Sequence, residues 1–427
     1  MPDLSRRRSL AALAGLTFSP WLPAIPNERL TADQLRADVD FIGATLAATH
    51  PDLAFSTDPA AVATALATLA ASAPDGLTRD EAWLRLATLN PLFADAHVLV
   101  GYAGWRAAVR AHLAGGGTLF PYRVALDDGS LVIRSLPDGA PTPLQGARIV
   151  SIDGQPADTV VATLLARMHG DTPLFRTHLL AQRWWFYHWK LAGAPRGYRL
   201  TLAQAGRTWT VETPGSNALP APLRAEESFD EQYRLDFAAD GSAVLTMASF
   251  APADPARVQA FTRAAFASLR ERACTKLTID VSANGGGDDA VWLDGLLPYL
   301  ATRPYRTGST YRKKVLETNE AKGERAGAVV RGEIATWYQP QPDNPLRFKG
   351  QVLVAIGPAT YSSAVLFANV MRDFGFAILT GTGNAARRAQ SGGVRSFTLP
   401  HSGLLLSVPR FVLEPPGGAA PGALLAL

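Results

Sequence analysis

The chain has 427 residues, 47% hydrophobic and 18% charged, with 37 Gly, 31 Pro and a single Cys. That length accommodates about three domains, and the composition excludes intrinsic disorder, collagen-like repeats and a disulfide-stapled scaffold; with Cys274 alone and no Cys/His cluster at zinc spacing, neither a redox role nor a structural zinc is expected. Of the net charge of +4, Arg6, Arg7 and Arg8 offset by Asp3 supply two, and the remaining Lys and Arg are scattered apart from short clusters such as Tyr311 to Lys314, so no nucleic-acid partner is expected.

Residues 1–26 combine Ser5-Arg6-Arg7-Arg8-Ser9-Leu10, the apolar stretch Ala11 to Phe18, and Pro20, Pro23 and Pro26. A basic segment, a short apolar segment and a breaker are the parts of an export signal, and the apolar part falls short of the ~20 residues that span a bilayer. The arginine pair resembles a twin-arginine signal, with Ser9 where an aromatic is favoured. A disordered basic N-terminus is the alternative. No later run reaches spanning length, so the mature chain is expected to be exported, periplasmic, and without a membrane span.

Over residues 30–113 apolar positions recur at helical spacing, as in Leu35, Val39, Ile42 and Leu46, and again in Ala82 to Leu89 behind Asp80-Glu81; this predicts a helical domain. Residues 118–214 carry short β-rich runs, Tyr122 to Leu126, Ser130 to Ile133, Ala147 to Ile152, Tyr198 to Leu202 and Thr208 to Val211. Turn signals such as Asp127-Asp128-Gly129 and Asp153-Gly154 separate them, and a helix is expected near Thr159 to Met168. The aromatic stretch Trp184 to Tyr187 with Trp189 reads as core or interdomain packing. After a Pro/Ala/Ser-rich linker, residues 226–427 alternate strands (Ala243 to Met247, Leu277 to Val281, Gln351 to Ile356, Ala377 to Thr380) with helices (Ala256 to Arg272, Ala290 to Leu300, Ser363 to Phe374). That alternation predicts an α/β domain with a largely parallel sheet.

Two turns in this last region could carry chemistry. Asp280-Val281-Ser282-Ala283-Asn284-Gly285-Gly286-Gly287-Asp288 follows a strand, and its glycines allow backbone N–H groups to aim at an anion or oxyanion. The strand Val352 to Ile356 runs through Gly357-Pro358-Ala359-Thr360-Tyr361-Ser362-Ser363 into an apolar helix, where an α/β domain places reactive groups. A helix-capping role for either serine is the competing reading.

Together the two turns resemble peptidase family S41, the C-terminal processing or tail-specific proteases. The first is similar to its Asp-Leu-Arg-x-Asn-x-Gly-Gly motif, with Ser282 in place of the arginine. The segment from Thr360 to Asp373-Phe374-Gly375 is similar to its nucleophile helix, which puts the nucleophile at Ser362. Gly381-Thr382, Phe397 to Pro400 and the degenerate PDZ-like stretch Gly146 to Gly154 add to the likeness. The resemblance implies a multidomain α+β and α/β chain: an N-terminal helical domain, a PDZ-like β-rich module and a C-terminal α/β (ClpP/crotonase-like) protease domain.

Where the processing proteases carry a lysine base, this sequence reads Gly383 to Ala389 with Arg387-Arg388, and arginine cannot act as a general base. Asp95-Ala96-His97-Val98 resembles instead the Asp-x-His-Thr motif of the tricorn-like branch, and Glu414 lies where the C-terminal glutamate of that branch would sit. The resemblance thus implies His97 as base, Glu414 as third member, and an oxyanion hole from the backbone N–H of Gly286 or Gly287 with that of Ser363. The expected activity is serine-type hydrolysis of a peptide or protein substrate through an acyl-enzyme, with no cofactor.

Lys313, Lys314 or Lys322 could approach Ser362 in space, and the sequence leaves the oligomeric state open. Gly381 to Ala386 matches a loose dinucleotide pattern, but too little chain follows for a Rossmann half. The stronger alternative is a non-catalytic ligand- or peptide-binding protein on the same fold.

Overall fold

The computed structural model describes residues 29–427, so the expected export segment lies outside the described residues. The helix Ala32–Thr49 begins at a reciprocal cap: Thr31 Oγ1 accepts from Gln34 N–H, and Gln34 Oε1 accepts from Thr31 N–H. Thr78 and Glu81 repeat the device at Arg79–Leu86, which explains why Asp80-Glu81 leads that run. Helices Pro59–Ala71, Leu89–Phe93 and Trp105–Ala114 complete a helical layer that buries Leu35, Val39, Ile42 and Leu46 on one stripe.

Strands Arg123–Asp127, Ser130–Ser135, Arg148–Ile152, Gly197–Gln204 and Arg207–Pro214 form an antiparallel sheet in that order. Its first hairpin closes through Asp128 and Gly129, both at positive φ, as a two-residue turn matched to strand twist requires. Helices Ala157–Leu165, Pro173–Gln182 and Trp184–Ala192 accompany it. Trp184, Trp185, Phe186 and Tyr187 are all buried, so the aromatic run is core.

The C-terminal region is built on a five-stranded sheet. Lys276–Asp280 pairs in parallel with Ala243–Met247 on one side and Gln351–Ile356 on the other; Ile378–Gly381 extends it, and Tyr233–Phe237 closes the far edge antiparallel. The helix Ser363–Asp373 is buried from Ser363 through Met371, as its nearly continuous apolar sequence demands.

Two further sheets were not read from the sequence. Thr310–Lys314, Val329–Glu333, Gln390–Gly392 and Phe411–Leu413 form one. Leu99–Gly101 pairs antiparallel with Leu405–Val408 in the other, tying the helical region to the end of the chain. Strands of three to five residues with mixed polarity leave little alternation to detect. No helix among the described residues is long and apolar enough to cross a membrane.

Candidate active site

Lys276–Asp280 and Gln351–Ile356 end side by side, with Asp280 opposite Ala355 and Val281 N–H donating to Ala355 O at 2.9 Å. The two chemistry-bearing turns therefore leave the same edge of the sheet, the usual site of ligand and catalytic groups in parallel α/β domains. They are stitched together: Asn284 O accepts from Tyr361 N–H at 3.0 Å, and Thr360 Oγ1 donates to Val281 O at 2.8 Å. Asn284 is fully buried, its Nδ2 donating to Met247 O and its Oδ1 accepting from Gly286 N–H, each at 2.8 Å.

Ser362 caps the helix Ser363–Asp373 at φ 53°, ψ −126°, and its side chain makes no capping hydrogen bond. A non-glycine residue in such a conformation costs about 1–3 kcal/mol and persists only where its surroundings hold it. Here Ser362 N–H donates to Gln390 Oε1 at 2.9 Å, and Gln390 Nε2 donates to Arg387 O at 2.7 Å. The partly exposed Ser362 hydroxyl is thus left uncommitted at the end of a buried helix. Ser363, by contrast, donates to Asp289 and accepts from Trp292 Nε1 at 2.9 Å, so its hydroxyl is fully engaged in packing.

Gly286 and Gly287 line the turn facing Ser362. A Cβ on Gly286 would lie 2.7 Å from Ser362 Cβ and 3.0 Å from Ser363 N; one on Gly287 would lie 2.1 Å from the Phe250 carbonyl. Both hold positive φ, 102° and 143°, so glycine is required for conformation and clearance alike. Of the three expected backbone donors, Gly286 N–H is already taken by Asn284 Oδ1. The N–H groups of Gly287 and Ser363 have no hydrogen-bond acceptor among the described residues.

His97 reaches this edge from far upstream. Ala94, at φ 48°, ends the helix Leu89–Phe93, and the following loop leads into Leu99–Gly101, whose pairing with Leu405–Val408 carries His97 across. Its ring lies 4.9 Å from the ring of Tyr361, the residue before Ser362. His97 Nδ1 is 2.9 Å from Ser391 Oγ, and Ser391 Oγ donates to Asp95 Oδ1 at 2.9 Å. With its one proton given to Asp95, the Ser391 hydroxyl can only accept from His97, which fixes the proton on Nδ1 and leaves Nε2 as a bare acceptor. Burial lowers the His97 pKa from its usual 6.5, partly offset by Asp95 and by the Ser391 hydrogen bond, so the ring is neutral at pH 7.

Beneath the ring lies a buried polar layer. Tyr361 Oη donates toward Asp171 Oδ1 at 2.7 Å and lies 3.2 Å from Asp95 Oδ1; Asp171 Oδ2 accepts from Arg387 N–H at 2.9 Å. Arg387 also donates to Ala94 O at 2.5 Å, supporting the loop that carries His97. Burial, reinforced by neighbouring Asp95, pushes the Asp171 pKa up to about 6.

Glu414, expected as the third member of the triad, is engaged elsewhere in the structure. Its carboxylate accepts from Arg312 at 3.1 Å, and Arg312 in turn pairs with Asp52; no hydrogen bond or ion pair joins Glu414 to His97 or Ser362 among the described residues. Lys313 is paired with Glu324 at 2.5 Å rather than with the serine. Ser391 and Gln390 had no signal in the sequence, because their role arises from the pairing of Gln390–Gly392 with Phe411–Leu413.

Residues 241–420 match the model of peptidase family S41. No curated protein matches the chain. Among solved structures, that of mature CPAF is similar over 91% of this chain and 90% of its own, with a TM-score of 0.63 at 14% identity. Mature CPAF complexed with lactacystin covers 91% of each chain with a TM-score of 0.62 at 14% identity. The photosystem II D1 C-terminal processing protease covers 93% of this chain and 92% of its own, with a TM-score of 0.48 at 14% identity. The likeness to CPAF, at this identity, is one of fold.

Proposed function

Residues 241–420 belong to peptidase family S41, and from that premise we propose that the chain is an exported serine-type peptidase that hydrolyses peptide bonds through an acyl-enzyme on Ser362. The observation that carries this reading is the ordered chain Asp95, Ser391, His97, which leaves a neutral imidazole with a free Nε2 and its ring 4.9 Å from that of Tyr361, the residue before Ser362; among the described residues no hydrogen bond yet joins His97 to Ser362.

In the first half-reaction Ser362 Oγ attacks the peptide carbonyl carbon while His97 Nε2 takes the hydroxyl proton. The carbonyl oxygen, now an anion, is received by the N–H groups of Gly287 and Ser363. Collapse breaks the C–N bond, and His97 returns the proton to the departing amine. Water then attacks the acyl-enzyme with His97 again as base, releasing the carboxylic product and restoring Ser362. Asp95, 4.0 Å from Nδ1, stabilises the transient imidazolium without accepting its proton. A base of this kind contributes about 10²–10⁴-fold, and one oxyanion donor about 10²–10³-fold.

In this reading residues 30–113 are the helical domain that supplies His97, 118–214 a PDZ-like module that admits the substrate by strand addition, and 226–427 the peptidase domain. Export to the periplasm rests on the basic and apolar parts of residues 1–26. The test is intact-mass detection of a fluorophosphonate adduct on the purified mature protein beside Ser362→Ala and His97→Ala. Loss of the adduct in both variants is the expected result. A folded wild type that takes no adduct would overturn catalysis in favour of a binding protein.

A further inference from the structure

A cleft of about 220 Å³ lies between the helical layer and the helix Trp184–Ala192. Its walls include Trp105 and Phe186, whose rings are 5.4 Å apart, together with Arg167, Arg183 and His169. No aspartate or glutamate lines it. Arg106, at the rim, is neutralised by Glu226. The other two guanidinium groups have no ion-pair partner among the described residues: Arg167 donates to the carbonyl oxygens of Leu84 (2.8 Å) and Thr163, and Arg183 stacks 4.9 Å from the Trp105 ring. Both arginines are partly buried. Partly desolvated cations without a counter-charge are unfavourable, and a carboxylate that meets both would relieve that cost with charge-assisted hydrogen bonds.

We propose that this cleft is a binding pocket for a small carboxylate attached to an aromatic or branched apolar body, the acid held by Arg167 and Arg183 and the body packed against Trp105 and Phe186. The volume is below the ~300–1,000 Å³ of clefts for drug-sized ligands, so one ring with a short acidic tail fills it. The pocket and the catalytic base share a wall: His169 Nδ1 donates to Ala96 O at 3.1 Å, and Ala96 precedes His97.

The same chemistry is offered by a free arylalkanoic acid and by the terminal residue of a peptide ending in Phe. Hydrocinnamate, its amide hydrocinnamide, and N-acetylphenylalanine are titrated by calorimetry into the full mature chain, both wild type and Ser362→Ala, so that the outcome does not depend on whether Ser362 reacts. The acids bind saturably and at least about tenfold more tightly than the amide, a ratio worth ~1.4 kcal/mol. Arg167→Gln with Arg183→Gln abolishes that preference, and Trp105→Ala, which leaves the charges in place and removes the apolar wall, weakens the acids and the amide alike by at least about tenfold. Tighter binding of N-acetylphenylalanine identifies a peptide terminus as the source, and tighter binding of hydrocinnamate a free acid. Equal binding of acid and amide, no saturation, or an acid preference that survives in the folded double variant overturns the proposal. Should the double variant fail to fold by circular dichroism, the wild-type acid-to-amide ratio and the Trp105→Ala titration decide it.

Discussion

Ser391 stands between Asp95 and His97, 2.9 Å from each, and relays the influence of a buried carboxylate to an imidazole that the carboxylate does not itself touch. A hydroxyl in that position has one proton and therefore one direction, and the direction selects the histidine tautomer. Removing the hydroxyl leaves Nδ1 without its acceptor, while Asp95 Oδ1 keeps the backbone N–H of His97 at 2.8 Å.

Ser391→Ala is accordingly expected to lower kcat by about 10²-fold with KM nearly unchanged, because only the base is disturbed. Ser391→Thr retains the hydroxyl and should restore most of the rate. Steady-state kinetics on a fluorogenic peptide would check both; equal damage from Ala and Thr would point to packing instead.

Gly286→Ala places a methyl group 2.7 Å from Ser362 Cβ at a backbone φ of 102°. The displaced serine should lose fluorophosphonate labelling, since the added Cβ also meets Tyr361 O at 2.9 Å and Ser363 N at 3.0 Å, the backbone on either side of Ser362. Gly287→Ala, whose Cβ meets the Phe250 backbone at 2.1 Å, should lower the melting temperature as well. Labelling measured beside differential scanning fluorimetry separates the two.

The acid limb of activity should fall below pH 6.5, since burial lowers the His97 pKa from that value. Stability carries a related signature. His97, His169 (pushed down to about 3) and His188 (to about 4) bind fewer protons folded than unfolded, so their contribution is present above pH 6.5 and is lost as pH falls toward those folded values. Asp171, raised from 3.8 to about 6, works in the opposite sense between those values, favouring the folded state at the acid end. Burial lowers His50 and His178 in the same sense and raises Asp289 and Asp294 in the opposite one. Because pH 7 to 5 spans the ordinary histidine value of 6.5 and lies above the ordinary aspartate value of 3.8, the histidines dominate and the melting temperature is expected to fall over that interval. A rise would contradict the assignment of these rings as buried and neutral.

Glu414→Gln discriminates between a catalytic and a supporting carboxylate. Its contact is Arg312, and both side chains are about one quarter exposed, so the expected cost is about 1 kcal/mol of stability or less. The turnover number should stay within about tenfold of wild type, against the ~10⁴-fold loss typical of a triad acid. A loss of the larger size would return Glu414 to the catalytic group.

How far the sequence discloses such a site depends on how locally each part is determined. The strand, turn and helix around Ser362 are consecutive, so their hydrophobic run and glycines suffice to place them. Asn284-Gly285-Gly286 carries a further local cue: an Asn side chain bonding the N–H two residues on is a common turn device, and it removes Gly286 from the set of free donors. His97 could be proposed only through a resemblance, because its approach to Tyr361 depends on a three-residue strand finding a partner some 300 residues downstream. Ser391 and Gln390 were beyond reach for the same reason, as was the capture of Glu414 by Arg312.

That pairing of Leu99–Gly101 with Leu405–Val408 also has a consequence in time. His97 is translated in the first quarter of the chain and Ser391 near its end, so the arrangement of Asp95, Ser391 and His97 beside the turn of Ser362 is complete only after the final strands have paired.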